Sequence, residues 1–193
     1  MDFNNYDSFK NVLREKLDDY RYNHCICVAD KARELALKYG ADENKAYLAG
    51  LLHDITKNLP PEEHLKIFER FGIILTDVEK NAQKLWHGIS GAAYVKGCLF
   101  VDDPEIYDAI RYHTTAKANM SLLTEIIYIA DFISADRTYK DVDVMRSLAD
   151  ISLDKAVKYS LCYMIGDLIK KGVSLHPDSV AAYNELCLKG VTV

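Results

Sequence analysis

The chain has 193 residues with a formal net charge of −5, and its 49% apolar and 27% charged fractions are those of an ordinary globular protein. Acidic and basic residues are interspersed without a basic block, which argues against nucleic-acid binding, and no run reaches the ~18 apolar residues of a membrane span. The five cysteines, with no C-x-x-C pair, argue against a disulfide framework or a zinc ribbon. The N-terminus has neither a basic start nor an apolar h-region, so the expected compartment is the cytoplasm.

The pattern is helical almost from end to end. Asp7 to about Tyr20 forms a first helix with Phe9, Val12, Leu13 and Leu17 as its apolar stripe, and Asn23 to Tyr39 a second that Gly40 stops. Asp42 caps a third through "NKAYLAGLLHDITK", and Pro60-Pro61 opens a fourth, "PPEEHLKIFERFG". Thr76 or Asp77 caps "VEKNAQKLWHG", and a short helix follows from Ser90 to about Phe100. Asp103-Pro104 starts "PEIYDAIRYHTT", and Ser121 caps the most apolar helix, "LLTEIIYIADFISADR". Ser152 begins "LDKAVKYSLCYMIGDLIKKG", and a last helix follows Pro177. The expectation is an all-α chain in which residues 1–193 form one helical domain of about nine or ten helices.

The chemistry is suggested by polar residues at inward positions of apolar helices. In "GLLHDITK", residues 50–57, an uninterrupted apolar run leads into His53 and Asp54, and burying such a carboxylate costs several kcal/mol unless a partner compensates it. His53 extends the small-residue stripe Ala46, Ala49 and Gly50, which lets another helix approach closely. His24 lies one turn before Val28, His113 extends the face of Ile106, Ala109 and Ile110, and Asp131 lies inside "IIYIADFIS". One histidine on an apolar face is usually a core residue bonded to a carbonyl. Two buried carboxylates among several such histidines form a set that a divalent cation satisfies. Adjacent side chains diverge by about 100° on a helix, so His53 and Asp54 share a cation only between them or where the helix loosens.

Lys57, one turn on, reaches the same side, which makes sense if an anion comes between it and the metal. By the same weighing, His64 on the charged segment "PPEEHLK" faces solvent, His87 sits at a helix C-terminus, His176 belongs to a loop, and Cys25 and Cys27 are buried thiols rather than ligands.

The order His24, His53-Asp54, Asp131 resembles the H…HD…D pattern of the HD-domain phosphohydrolases. "LLHDITK" and "ADFISADR" (residues 130–137) are similar to the corresponding segments of the bacterial YqeK family, over nearly the whole chain. That resemblance implies an enzyme that cleaves diadenosine tetraphosphate symmetrically to two ADP by metal-activated water. It implies one or two ions, iron or a related divalent transition metal such as manganese or cobalt. It assigns His24, His53, Asp54 and Asp131 to the metal, and His87 and His113 to a second metal or to the phosphates. Asp54, Lys57, Thr114 and Arg137 would contact substrate, with His176 in a loop, "GVSLHPDS", at the nucleotide; Asp54, His87 and His113 would act in catalysis. The implied partner is a small dinucleoside polyphosphate, with no nucleic acid or membrane, and a homodimer is open. The competing readings are another nucleotidase or phosphodiesterase of the superfamily, a di-iron oxygenase, and a non-catalytic nucleotide-binding module.

Overall fold

Capping side chains set most of the helix starts. The computed structural model describes residues 6–193. Among them lie α1 (Tyr6–Lys16), α2 (Asp19–Tyr39), α3 (Glu43–Leu52), α4 (Pro61–Phe71) and α5 (Asp77–Asn81), a 3₁₀ turn (Gln83–Leu85), then α6 (Trp86–Gly97) and α7 (Pro104–Tyr112). The chain continues through α8 (Leu122–Ile133), α9 (Val142–Ile151), α10 (Leu153–Lys170) and α11 (Pro177–Leu188), and no strand occurs among the described residues. Asp42 and Asp103 accept backbone N–H bonds at the starts of α3 and α7, Ser121 does so for α8, and Thr76 forms a reciprocal capping box with Glu79.

The buried apolar residues of α1, α2, α3, α6, α7, α8, α9, α10 and α11 form one continuous core, and a small satellite of Phe68, Trp86 and Ile89 joins α4 to α6. Two contacts place the site. A Cβ at Gly50 would lie 2.9 Å from Ala29 Cα, so α3 meets α2 at a distance that only glycine allows. This is the close approach expected of the small-residue stripe. The other is α8, whose Ile126, Ile127, Tyr128, Ile129 and Ala130 are fully buried where it packs on α2, α3, α7, α9 and α10.

Several local expectations are corrected. The first two helices divide at Asp18, which caps α2 by accepting from Arg21 N at 2.7 Å, so α2 starts at Asp19 and carries Arg21 in its first turn. Residues 76–97 are cut differently from the reading of their periodicity. The capping box closes a short α5, the Trp86 indole donates to Glu79 O at 2.7 Å, and α6 begins at Trp86. His87 therefore sits in the first turn of a helix rather than the last. His64 is buried, not solvent-facing, because its Nδ1 meets Ser90 Oγ at 2.8 Å and its ring lies beside Phe68 and Trp86. α8 stops at Ile133, and α9, which the reading did not separate, follows residues 134–141. His176 is the N-cap of α11, accepting from Asp178 N at 3.2 Å, rather than a loop residue.

Candidate metal centre and its phosphate-facing rim

α3 ends at Leu52, and the chain continues in tight turns, with Ile55 N bonded to Leu52 O, Lys57 N to Asp54 O and Leu59 N to Thr56 O. The helix thus tightens rather than loosens there, and of the two arrangements open to the pair the one with room for a cation between them is found: His53 Nε2 and Asp54 Oδ2 face one another at 3.6 Å. Thr56 pins this turn to the start of α6 through His87 O and Ser90 Oγ, both at 2.9 Å.

Four imidazoles stand in a row, His87, His113, His53 and His24, with successive ring centroids 5.0, 4.9 and 5.2 Å apart. His53 and His113 are the C-cap residues of α3 and α7. Each donates Nδ1–H to the carbonyl three residues earlier, Gly50 O at 2.7 Å and Ile110 O at 2.8 Å. Those carbonyls belong to the last turns, where the helix supplies no donor. The bonds fix both rings with the Nε2 lone pair turned into the site.

The carboxylates complete the cluster. His24, His53 and Asp131 form one group whose ligand atoms lie within 4.8 Å of one another, and His53, Asp54 and His113 form another. His53 Nε2 and Asp54 Oδ1 are buried without a hydrogen-bond partner, although His87 Nε2 lies 3.1 Å from that oxygen. His24 Nε2 is 3.0 Å from Asp131 Oδ1, while its Nδ1 is 2.8 Å from Asp136 Oδ2. If Asp136 takes the Nδ1 proton, a lone pair on Nε2 opposes a carboxylate oxygen. Orphaned acceptors and opposed lone pairs converging from three sides are what a divalent cation resolves, so these residues fit the expected metal.

The electrostatics agree. Burial pushes His53 down to about 3 and His87 to about 4, so both rings are neutral, as a ligand requires. Burial opposes ionisation of Asp54, yet the surrounding imidazoles, His53 first, hold its carboxyl well below the usual range. For Asp131 burial is likewise overcome, by His24 and then by the Arg137 guanidinium. Burial also pushes the Cys25 thiol well above its ordinary value, so it stays protonated, as its reading as a core thiol expects.

Fixed cations rim the cluster. Lys57 Nζ lies 3.6 Å from Asp54 Oδ1 and 3.0 Å from His87 Nε2. Arg137 donates to Asp131 through both its backbone carbonyl and its carboxylate, and Arg21 Nη1 donates to Asp54 Oδ2 at 2.7 Å. Thr114 and His176 are not brought to the cluster itself. They line a cavity of about 680 Å³, where Thr114 Oγ1 and His176 Nε2 are buried without a hydrogen bond, Glu79 Oε1 lying 3.5 Å from the latter. A separate cavity of about 410 Å³ beside Lys57 and His87 is adjacent to it, with Gln83 and Lys84 lining both.

The sequence reading missed three residues. Arg21 was hidden because its helix was started too late, and Asp136 because the segment was taken as helix. Arg146 of α9 donates to Ile133 O, Ser134 O and Arg137 O at 3.0–3.2 Å, tying down the turn that presents Asp136 and Arg137. Only the charged run "ADR" hinted at the second of these.

The HD domain family matches residues 21–136, a span that contains His24, His53, Asp54, His87, His113 and Asp131. The symmetrical bis(5'-nucleosyl)-tetraphosphatase of Halalkalibacterium halodurans is 36% identical over 178 residues, covering 92% of this chain and 95% of that protein. The enzyme of the same name from Bacillus subtilis is 37% identical over 174 residues, 90% of this chain and 93% of that one. The crystal structure of a predicted HD superfamily hydrolase involved in NAD metabolism, from Clostridium acetobutylicum, matches with a TM-score of 0.92 at 40% identity, covering 95% of this chain and 97% of the other. With that match over the residues that build the cluster, and relatives of this identity along nearly the whole length, the chain belongs to the HD-domain family, alongside the symmetrical bis(5'-nucleosyl)-tetraphosphatases.

Proposed function

We propose that this protein is a metal-dependent phosphohydrolase that cleaves diadenosine tetraphosphate symmetrically, water adding to one inner phosphorus as the bridge between the two inner phosphates breaks, to give two ADP. The observation that carries the reading is the meeting of two metal-ligand groups at His53, with orphaned acceptors inside and Lys57, Arg21 and Arg137 around them. His24, His53, Asp54 and Asp131 would hold the ion. Iron is the occupant we favour, and the same imidazole and carboxylate donors suit manganese or cobalt. When bound, such an ion supplies Lewis acidity that acidifies a coordinated water and draws charge from the attacked phosphoryl group.

The chain's own residues do the rest. Asp54 touches two of the three cations, Lys57 and Arg21, and three of the imidazoles, so it fixes their relative positions as well as offering an oxygen to the ion. His113 shares the second group with Asp54 and would serve as a ligand where a further ion binds; otherwise His87 and His113, whose Nε2 atoms lie 3.1 Å apart, would face the phosphates. Lys57, Arg21 and Arg137 receive phosphate oxygens, the two guanidiniums in the forked geometry suited to them. Thr114 and His176 contact one nucleoside along the rim cavity. We read residues 1–193 as one domain, on the strength of the continuous core, acting in the cytoplasm.

Chromatography of the products from diadenosine tetraphosphate with ferrous or manganese ions tests this. ADP alone, abolished by chelation and by Asp54→Ala, is expected. AMP with ATP would reject symmetrical cleavage, and no turnover with any divalent ion would reject the reaction. Oxygen uptake in the same vessel is expected to be absent, against the di-iron oxygenase alternative.

A further inference from the structure

A cavity of about 290 Å³ opens beside the ligand cluster, lined by Asp131, Phe132, Arg137, Tyr139 and Tyr163. It lies at the His24 end of the imidazole row, because Asp131 and Arg137 both meet His24 Nε2. The cavity of Lys57 and His87 lies at the His87 end, with the neighbouring cavity of Thr114 and His176 beside it. None of the three aromatic residues has a part in the chemistry set out above.

Their construction is specific. The Tyr139 and Tyr163 rings are 5.9 Å apart at 35°. Tyr139 is fixed, its hydroxyl donating to Phe132 O at 2.8 Å with Met145 Sδ 3.1 Å away. Tyr163, on α10, is 42% exposed. Arg137 lies between these rings and the ligand cluster, bound to Asp131 while lining the cleft. A fixed ring, an open ring and a guanidinium in one small cleft suit a flat base joined to an anionic chain. The volume is at the lower end for a small-molecule pocket, enough for the base with its sugar and phosphates outside.

A symmetrical dinucleotide presents two identical nucleosides to a site with two unlike ends, so the second must be met by different residues from the first. We propose that this cleft is the second nucleoside subsite: one base stacks on Tyr163 against the Tyr139 side, and Arg137 receives the adjoining phosphate. The inference rests on the tetraphosphatase reading for the identity of the ligand.

Two measurements on the manganese-loaded protein test it. In calorimetric titration with ADP, wild type is expected to bind two equivalents and Tyr163→Ala one, with Tyr163→Phe restoring the second. In kinetics, the wild-type preference in kcat/KM for diadenosine tetraphosphate over adenosine 5'-tetraphosphate, which has one nucleoside on the same phosphate chain, is expected to fall about tenfold in Tyr163→Ala and to return in Tyr163→Phe. One equivalent of ADP in wild type, two in Tyr163→Ala, or an unchanged preference overturns the subsite. Two equivalents falling to one, with no turnover of the dinucleotide by wild type, would leave the subsite standing and remove the reaction assigned to it.

Discussion

Residues 50–57 and residues 130–137 each bring one carboxylate to the same centre and pair it with an arginine, yet the chain around the two is held differently. Asp54 is 2% exposed and is placed by packing: an apolar helix, the Gly50–Ala29 contact, tight turns, and Thr56 locked onto α6. Asp131 is 18% exposed, and its surroundings are placed by charge: Arg137 on its carboxylate, Asp136 on His24, and Arg146 on three carbonyls. One half of the site is rigid because its neighbours leave no room. In the other, the turn that follows α8 is tied down by ion pairs and hydrogen bonds from Arg137, Asp136 and Arg146.

Removing the carboxylate from the packed half has the largest expected effect. Asp54→Ala deletes a proposed ion ligand and leaves Arg21 without its partner, and kcat is expected to fall on the order of 10³-fold, with circular dichroism unchanged. Activity within tenfold of wild type would remove Asp54 from the centre of the scheme. In the charged half, Asp136→Ala leaves all four proposed ligands present but frees the His24 ring. Manganese affinity, read by titration, is expected to drop about 10–100-fold, the usual cost of losing the partner that orients a ligand. An unchanged affinity would mean that packing alone orients His24.

Acid separates the halves in another way. In the chelated protein, burial keeps His53 at about 3 and His87 at about 4, against an unfolded value near 6.5. Between those values the unfolded chain binds protons that the folded chain refuses. Stability is therefore full above about pH 6.5 and declines as pH falls toward 4, by on the order of 3 kcal/mol for each ring. Asp54 and Asp131, held low when folded, keep their contribution until pH falls below the ordinary carboxylate range near 4. Urea midpoints at pH 7.5 and 5 check the first stage, and equal midpoints would contradict it. The smallest effect is expected from Arg146→Lys, which keeps the charge at the end of α8 but not the fork. KM for the dinucleotide should rise about threefold or less, with a larger rise in Arg146→Ala.

The division also explains what could be read from the residues alone. His24, His53, Asp54 and Asp131 were legible because each interrupts an apolar stripe, and burial is written in periodicity. The starts of α3, α7 and α8 were legible because Asp42, Asp103 and Ser121 act within three residues of themselves. Arg21, Asp136 and Arg146 were not, since their partners are 33, 112 and at most 13 residues away and their own neighbourhoods look like ordinary surface. His64 was misread for the same reason: its charged neighbours signal solvent, and only the approach of α6 buries it. The boundary between α5 and α6 turned on an indole–carbonyl bond that no local pattern encodes.

His53 and His113 each satisfy a carbonyl at the end of their own helix while turning the other nitrogen inward. Each ring thus has an architectural duty that persists if catalysis is lost. A relative that abandoned hydrolysis would still have reason to retain both, whereas Asp54 and Lys57 would drift once no ion or anion needed them. Among descendants of this fold, retention of the histidines is therefore weak evidence of activity, and the fate of Asp54 and Lys57 is the better record.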